Sequence, residues 1–169
     1  MNALQYRPSN ENDFDAIYAL YMHPSTNPHL AFDVVPKEEF LITYRKLLTE
    51  GELIVATGNG SIIGSYHLFN KEYRQADTLY LATFVIDPSH CGRGYGSMVL
   101  RHIINTAGAR KKNRIELEVS VSNTNAVRFY EKHGFVIEGT IRQSYRIAPH
   151  AVYYDDYLMS ILIPWTVIV

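Results

Sequence analysis

Residues 85–107, VIDPSHCGRGYGSMVLRHIINTA, place three glycines at alternate positions (Gly92, Gly94 and Gly96) between an apolar strand-like run and an amphipathic helical run. No other stretch limits the fold as tightly. Glycine permits backbone conformations and close ligand approach that a side chain blocks, and the first turn of a helix presents unpaired N–H groups at a positive dipole end. A strand delivering such a turn into a helix predicts an anion cradle suited to phosphate.

The flanking segments read as an α/β chain. Residues 4–8 form a short strand, and Ser9 to Asp13 supplies capping chemistry for a helix over 14–22. Residues 23–28 make a turn-rich loop over the site, and Pro36 with Lys37, Glu38 and Glu39 opens a second helix to about Thr49, ended by Glu50-Gly51. Residues 53–57 and 62–69 flank Gly58-Asn59-Gly60, a hairpin signal. After a polar loop at 71–77, residues 78–86 are nearly all apolar, as in a strand buried on both faces. The helix from about Gly94 to Gly108 turns Met98 and Ile103 to a core, and the basic residues 110–114 read as a solvated turn.

Residues 114–121 alternate, with Ile115, Leu117, Val119 and Val121 on one face and Glu116, Glu118 and Ser120 on the other. A short helix over 126–133 ends at Gly134. Residues 135–138, 141–147 and 152–162 read as closing strands, with a turn at Pro149 between the last two. These alternating strands and helices make a single domain spanning 1–169.

Composition excludes several classes. At 169 residues and 47% hydrophobic content the chain can bury a sizeable core. A net charge of -1 gives no reason to expect nucleic acid or an anionic membrane as partner. The single Cys91 rules out an internal disulfide and fits intracellular usage. The N-terminal residues lack a signal-peptide pattern, and no apolar run reaches a membrane span, so a soluble cytoplasmic protein is expected. The tail ILIPWTVIV (161–169) is broken by Pro164 and reads as a terminal strand, packing tail or oligomer contact, with Trp165 pointing to a homodimer.

The glycines alone admit several phosphate ligands. A Walker loop needs Lys-Ser/Thr after its last glycine, but Ser97-Met98 follows Gly96. A dinucleotide fingerprint counted from Gly92 needs glycine where Ser97 stands, and fewer than 80 residues follow the motif to complete a doubly wound sheet. The window Cys91-Gly92-Arg93-Gly94-Tyr95-Gly96 instead resembles the pyrophosphate loop Q/R-x-x-G-x-G/A of the GCN5-related N-acetyltransferase family, with Cys91 at the Gln/Arg position. A second block of that family, N-x-x-A-x-x-x-Y-E-K-x-G-F, is filled in register by Asn123, Ala126, Tyr130, Glu131, Lys132, Gly134 and Phe135. The resemblance covers essentially the whole chain, extending into Glu138-Gly139-Thr140 and the run from Tyr153 to Met159, which looks like the subgroup that includes the ribosomal-protein, spermidine and YhhY-like acetyltransferases.

That resemblance implies a mixed, mostly antiparallel central sheet flanked by helices, with strands four and five splayed around acetyl-CoA as cosubstrate. It implies that Phe84, Val85 and Ile86 pair with the pantetheine arm and that a strand-four N–H polarises the thioester carbonyl. Residues Cys91, Gly92, Arg93, Gly94, Tyr95, Gly96 and Ser97 would hold the pyrophosphate, with Asn123 and Asn125 touching the cofactor from the other side. Tyr130 would be the general acid toward the leaving thiol; full transfer from a phenol of pKa ~10 to a thiol of ~8.5 is uphill by about 2 kcal/mol, so its main task is hydrogen-bond donation.

Glu116 and Glu118 are the candidate bases for the acceptor ammonium, against the ordinary alternative of solvated strand acids. Some relatives carry an acid on strand four where Leu81 stands here. The seven histidines show no metal-ligand spacing, so no metal is expected. Asp155, Asp156, Tyr145, Tyr153 and Tyr154 could line an acceptor pocket or simply pack the strands. The expected activity is acetyl transfer to a primary amine of a small molecule or peptide; a non-catalytic acyl-CoA sensor or interaction module on the same fold is the competing expectation.

Overall fold

The structure is a computed structural model and describes residues 3–30, 32–147 and 152–164. Its elements are strands β1 (Gln5–Pro8), β2 (Glu52–Gly58), β3 (Ser61–Asn70), β4 (Thr78–Ile86), β5 (Arg114–Ser120), β6 (Val136–Ile147) and β7 (Val152–Leu162). The helices are α1 (Phe14–Tyr21), α2 (Lys37–Thr49), α3 (Tyr95–Ala109) and α4 (Thr124–Lys132). The strands form a seven-stranded sheet in the order β1-β2-β3-β4-β5-β7-β6. β4 and β5 run parallel, whereas β1–β2, β2–β3, β5–β7 and β6–β7 are antiparallel. This is the mixed, mostly antiparallel α/β architecture expected from the sequence.

The chain divides into two compact units, residues 1–69 with 81–101 and residues 70–80 with 102–169. In the first, Ile17, Leu20 and Tyr21 of α1, Phe40 and Tyr44 of α2, Leu53 and Val55 of β2 and Val85 of β4 form a buried cluster. Removing such side chains from water is the main source of stability in a unit of this size. Asp13 locks its N-terminal corner: it closes a capping box with Asn10 and accepts two hydrogen bonds of 2.7 Å from Arg7 of β1. The hairpin turn predicted at Gly58-Asn59-Gly60 is a two-residue turn, with Asn59 and Gly60 at φ of 53° and 79° between paired Gly58 and Ser61.

In the second unit the buried side chains come from Ile103 and Ala107 of α3, Ile115, Leu117 and Val119 of β5, Val127 and Tyr130 of α4, and Phe135 and Met159. Asn123 caps α4 by accepting a 3.2 Å hydrogen bond from the Ala126 N–H, and Gly134, at φ 89°, ends the segment in the left-handed region.

Four expectations change. The stretches 136–138 and 141–147 belong to one strand, β6, whose register against β7 shifts between Ile137 and Gly139 and between Ile141 and Tyr145. Those shifts break the two-residue alternation that made one strand look like two. Met98 is half-buried, and Val99 and Leu100 take the core positions that it was expected to share. β4 is buried at Thr78, Leu79, Leu81 and Val85 and only half-buried at its other positions. Arg114, which begins β5 as expected, joins an ion-pair network instead of a solvated turn. The Pro149 turn and Trp165 lie outside the described residues.

Candidate active site

The cofactor segment of the first unit is shaped by backbone. Thr83 in β4 adopts φ 50°, a left-handed value that is rare for a β-branched residue and interrupts the strand's regular pleat. Towards the end of the same strand, a methyl group on Gly64 of β3 would lie 2.5 Å from the Val85 carbonyl oxygen and 2.8 Å from Ile86 Cδ1. Glycine is therefore required there by contact. Of the three predicted pantetheine residues, Val85 is buried and Phe84 and Ile86 are half-buried.

After β4, Asp87 accepts hydrogen bonds from the Ser89 N–H (2.8 Å) and hydroxyl (2.5 Å), folding Pro88–His90 into one 3-10 turn. Burial works against ionisation of Asp87, but the Ser89 hydrogen bonds and nearby His90 outweigh it and hold the carboxyl below its ordinary pKa. Gly92 and Gly94 then take φ of 72° and 80° on either side of Arg93, the alternation in which neighbouring N–H groups converge on an anion. A methyl group on Gly92 would meet nothing within 4 Å, so conformation rather than crowding demands glycine, and the cradle is open. Residues 91–94 are exposed, and α3 begins at Tyr95, whose ring meets His90 edge-on at 5.7 Å.

These features fit a diphosphate held by backbone N–H groups. Partial burial and nearby Asp87 push the Cys91 thiol pKa up, which works against thiolate formation. A separate cleft of about 560 Å³ in this unit is lined by Arg7, Asp13, His23 and Asp87 among others, and by none of residues 91–97.

The second unit is shaped by side chains. Tyr130 is 7% exposed and packs between the rings of Phe129 and Phe135, each 5.4 Å away. Burial pushes its phenol pKa up, strengthening its hold on the proton. Asn123 is committed to the α4 cap, and Asn125 is exposed on that helix.

β5 pairs Glu116 with Tyr80 of β4 on one side and Ser160 of β7 on the other, and Ser120 with Asp156. Strand alternation puts Glu118 on the same face as these partners. The β4–β5 register covers Thr78–Tyr80 against Arg114–Glu116 only.

Glu116, expected to be a solvated or basic residue, is 7% exposed and ion-paired with both Lys71 and Arg114 (Nε to Oε2, 3.2 Å). Arg114 also reaches Glu138 with both terminal nitrogens, at 2.8 and 2.5 Å, and the Ser160 hydroxyl at 3.0 Å. Glu118 makes no side-chain hydrogen bond or ion pair among the described residues. Burial, then Asp156 and Glu116, push its pKa up against the opposing pull of Lys71.

Asp156 is buried, accepts a 2.7 Å hydrogen bond from the Ser144 hydroxyl, and is pushed up by burial and Asp155. The same cluster lifts the Tyr80 phenol to about 12, by burial first and then by Glu118, Asp156 and Glu116. Sequence reading missed Tyr80, Lys71 and Arg114; Tyr80, a polar-tipped residue inside an apolar strand, was the available signal. Of the proposed acceptor-lining residues, Tyr145 and Tyr154 stack on each other at 5.3 Å, and Asp155 accepts from the Gln143 N–H at 2.8 Å. Among the described residues no group of three or more His, Cys, Asp or Glu is arranged to hold a metal ion, and no helix is long and apolar enough to cross a membrane.

Comparison with known proteins bears on the family and the fold. The chain is 36% identical over 86 residues to the ribosomal protein bS18-alanine N-acetyltransferase of Salmonella typhimurium, an alignment covering 51% of this chain and 56% of that protein. It is 27% identical to the L-amino acid N-acetyltransferase AaaT of Escherichia coli, over 95% of this chain and 98% of that one. Its fold superimposes with a TM-score of 0.81 on spermidine N-acetyltransferase from Vibrio cholerae, solved with CoA and spermine, at 23% identity and with 95% of each chain covered. Residues 10–135, which include the glycine cradle and the segment from Asn123 to Phe135, match the Acetyltransferase (GNAT) family. The chain belongs to that family.

Proposed function

We propose that this N-acetyltransferase uses acetyl-CoA to acetylate a primary amine by direct transfer in a ternary complex. The observation carrying this reading is the open, positive-φ cradle at Gly92 and Gly94, which suits a diphosphate. When bound, acetyl-CoA supplies an activated acyl group and a thiol leaving group. N–H groups of residues 91–97 hold the pyrophosphate, and the irregular edge at Phe84, Val85 and Ile86 pairs with the pantetheine arm. Asn123, through the second lone pair of its backbone carbonyl, and Asn125 add contacts. Tyr130 stabilises the departing sulfur by hydrogen-bond donation and passes on its proton late.

Glu118 is the favoured base, because Glu116 is committed to two cations while Glu118 has no ion pair among the described residues. It takes the proton that the acceptor ammonium must lose, directly or through water. Glu118 and Asp156, neither of them ion-paired among the described residues, favour an acceptor that arrives as a cation: an amino acid, a polyamine, another small amine or a peptide α-amine. Calorimetry with acetyl-CoA, followed by thiol release across an amine panel, tests the reading; no binding at millimolar cofactor sinks it. Cys91 at the Gln/Arg position and buried Leu81 favour a second reading, an acyl-CoA sensor, which binds the cofactor and releases no thiol with any amine.

A further inference from the structure

Lys71 lies in the polar loop between β3 and β4, a segment without a motif. That loop is nonetheless held firmly within its unit. The Lys71 N–H donates to the Thr78 carbonyl at 3.2 Å, Lys112 Nζ to the Ala76 carbonyl at 2.5 Å, and the Asn113 N–H to the Asp77 carbonyl at 3.0 Å. The anchored loop delivers the Lys71 ammonium to Glu116, at the last paired rung of β4 and β5. Arg114 approaches the other Glu116 oxygen, but its two terminal nitrogens are spent on Glu138. Lys71 is thus the cation committed to Glu116 alone among its described partners.

We propose that Lys71 is a positioning residue that neutralises Glu116 and thereby reserves Glu118 as the proton acceptor of this face. The inference rests on the reading of Glu118 as the base. The groups bearing on Glu118 are Tyr80 from β4, Glu116 on its own strand, Asp156 from β7 and Lys71 from the loop, with Arg114 acting through Glu116. Without the Lys71 charge, Glu118 faces Glu116 and Asp156 with one cation fewer, so its carboxyl binds a proton more tightly and is less often ready to accept one. The opposing pull of Lys71 on Glu118 has the required sign.

Carbon-13 NMR titration of the Glu118 carboxyl, assigned with Glu118→Gln, reads this directly in the parent protein and in Lys71→Met, Lys71→Gln and Lys71→Arg. The two neutral variants raise the midpoint by about half a pH unit or more, and Lys71→Arg restores it. Lys71→Gln keeps a polar group in the loop in case Lys71→Met fails to fold. An unchanged midpoint in a folded neutral variant overturns the proposal whether or not the protein proves to be active. In parallel, the acidic limb of kcat/KM against pH moves up by the same amount in the neutral variants. A moved midpoint with an unmoved limb upholds the electrostatic role of Lys71 and overturns the assignment of Glu118 as base.

Discussion

The glycine cradle and the β5 face put opposite demands on their residues. In the cradle, Gly92 and Gly94 act through φ, and position 91 carries a cysteine, whose thiol pKa is pushed up, where the family pattern has Gln or Arg. On β5, backbone conformation is ordinary and everything depends on which carboxylate has a counter-ion: Glu116 has two and Glu118 none among the described residues. Binding an invariant diphosphate can be left to main-chain N–H groups, whereas proton transfer requires side chains tuned one by one. The first region tolerates many sequences that keep its shape; the second depends on charge.

Substitutions can separate the two. Tyr130→Phe should cause the largest change, a fall in kcat of about 100-fold or more with acetyl-CoA affinity kept, since general acid–base groups contribute ~10²–10⁴. Equal losses in kcat and calorimetric affinity would assign Tyr130 to folding or binding instead. Glu118→Gln should lower kcat/KM by about 10- to 100-fold at neutral pH. In the parent enzyme the acidic limb should lie above the ordinary glutamate pKa of ~4.3, because Glu118, as the proposed base with its pKa pushed up, must lose its proton before it can act; in the variant that limb should vanish.

Gly92→Ala should reverse the pattern. Left-handed strain of ~1–2 kcal/mol would weaken acetyl-CoA binding about tenfold, with kcat at saturating cofactor little changed. Glu138→Gln tests charge dependence through stability. Hydrogen bonds from Arg114 and Ser160 hold the Glu138 carboxyl down at about 2, so its contribution is complete above the unfolded pKa of ~4.3 and lost as pH falls toward 2. The parent melting temperature should therefore drop more steeply than the variant's over that window. Cys91→Ala should change turnover and affinity by less than about twofold, the smallest effect, since the thiol is held protonated and makes only long sulfur contacts to backbone carbonyls.

Local chemistry made much of this legible beforehand. The limits of β4, the Asn59-Gly60 turn and the Gly134 stop all follow from residues that dictate their own conformation. What stayed hidden depends on pairing across the chain. Two register shifts made β6 resemble two strands, and Glu116, read as half of an alternating acidic pair, is distinguished from Glu118 by Arg114 at the start of its own strand and by a lysine in a loop that no sequence pattern links to it. Tyr130 could be placed by its motif, while the burial that stiffens its hold on its proton comes from Phe129 and Phe135 folding around it.

Gly64 extends the cofactor's influence to a residue that has no proposed contact with it. Exchanging Arg93 or Tyr95 leaves the main-chain path of the cradle available, but one added carbon at position 64 collides with the Val85 carbonyl and must shift the strand edge on which the pantetheine arm is proposed to lie. A saturation scan scored by cofactor retention should therefore mark position 64 as intolerant, alongside positions that no ligand-contact map would join to it.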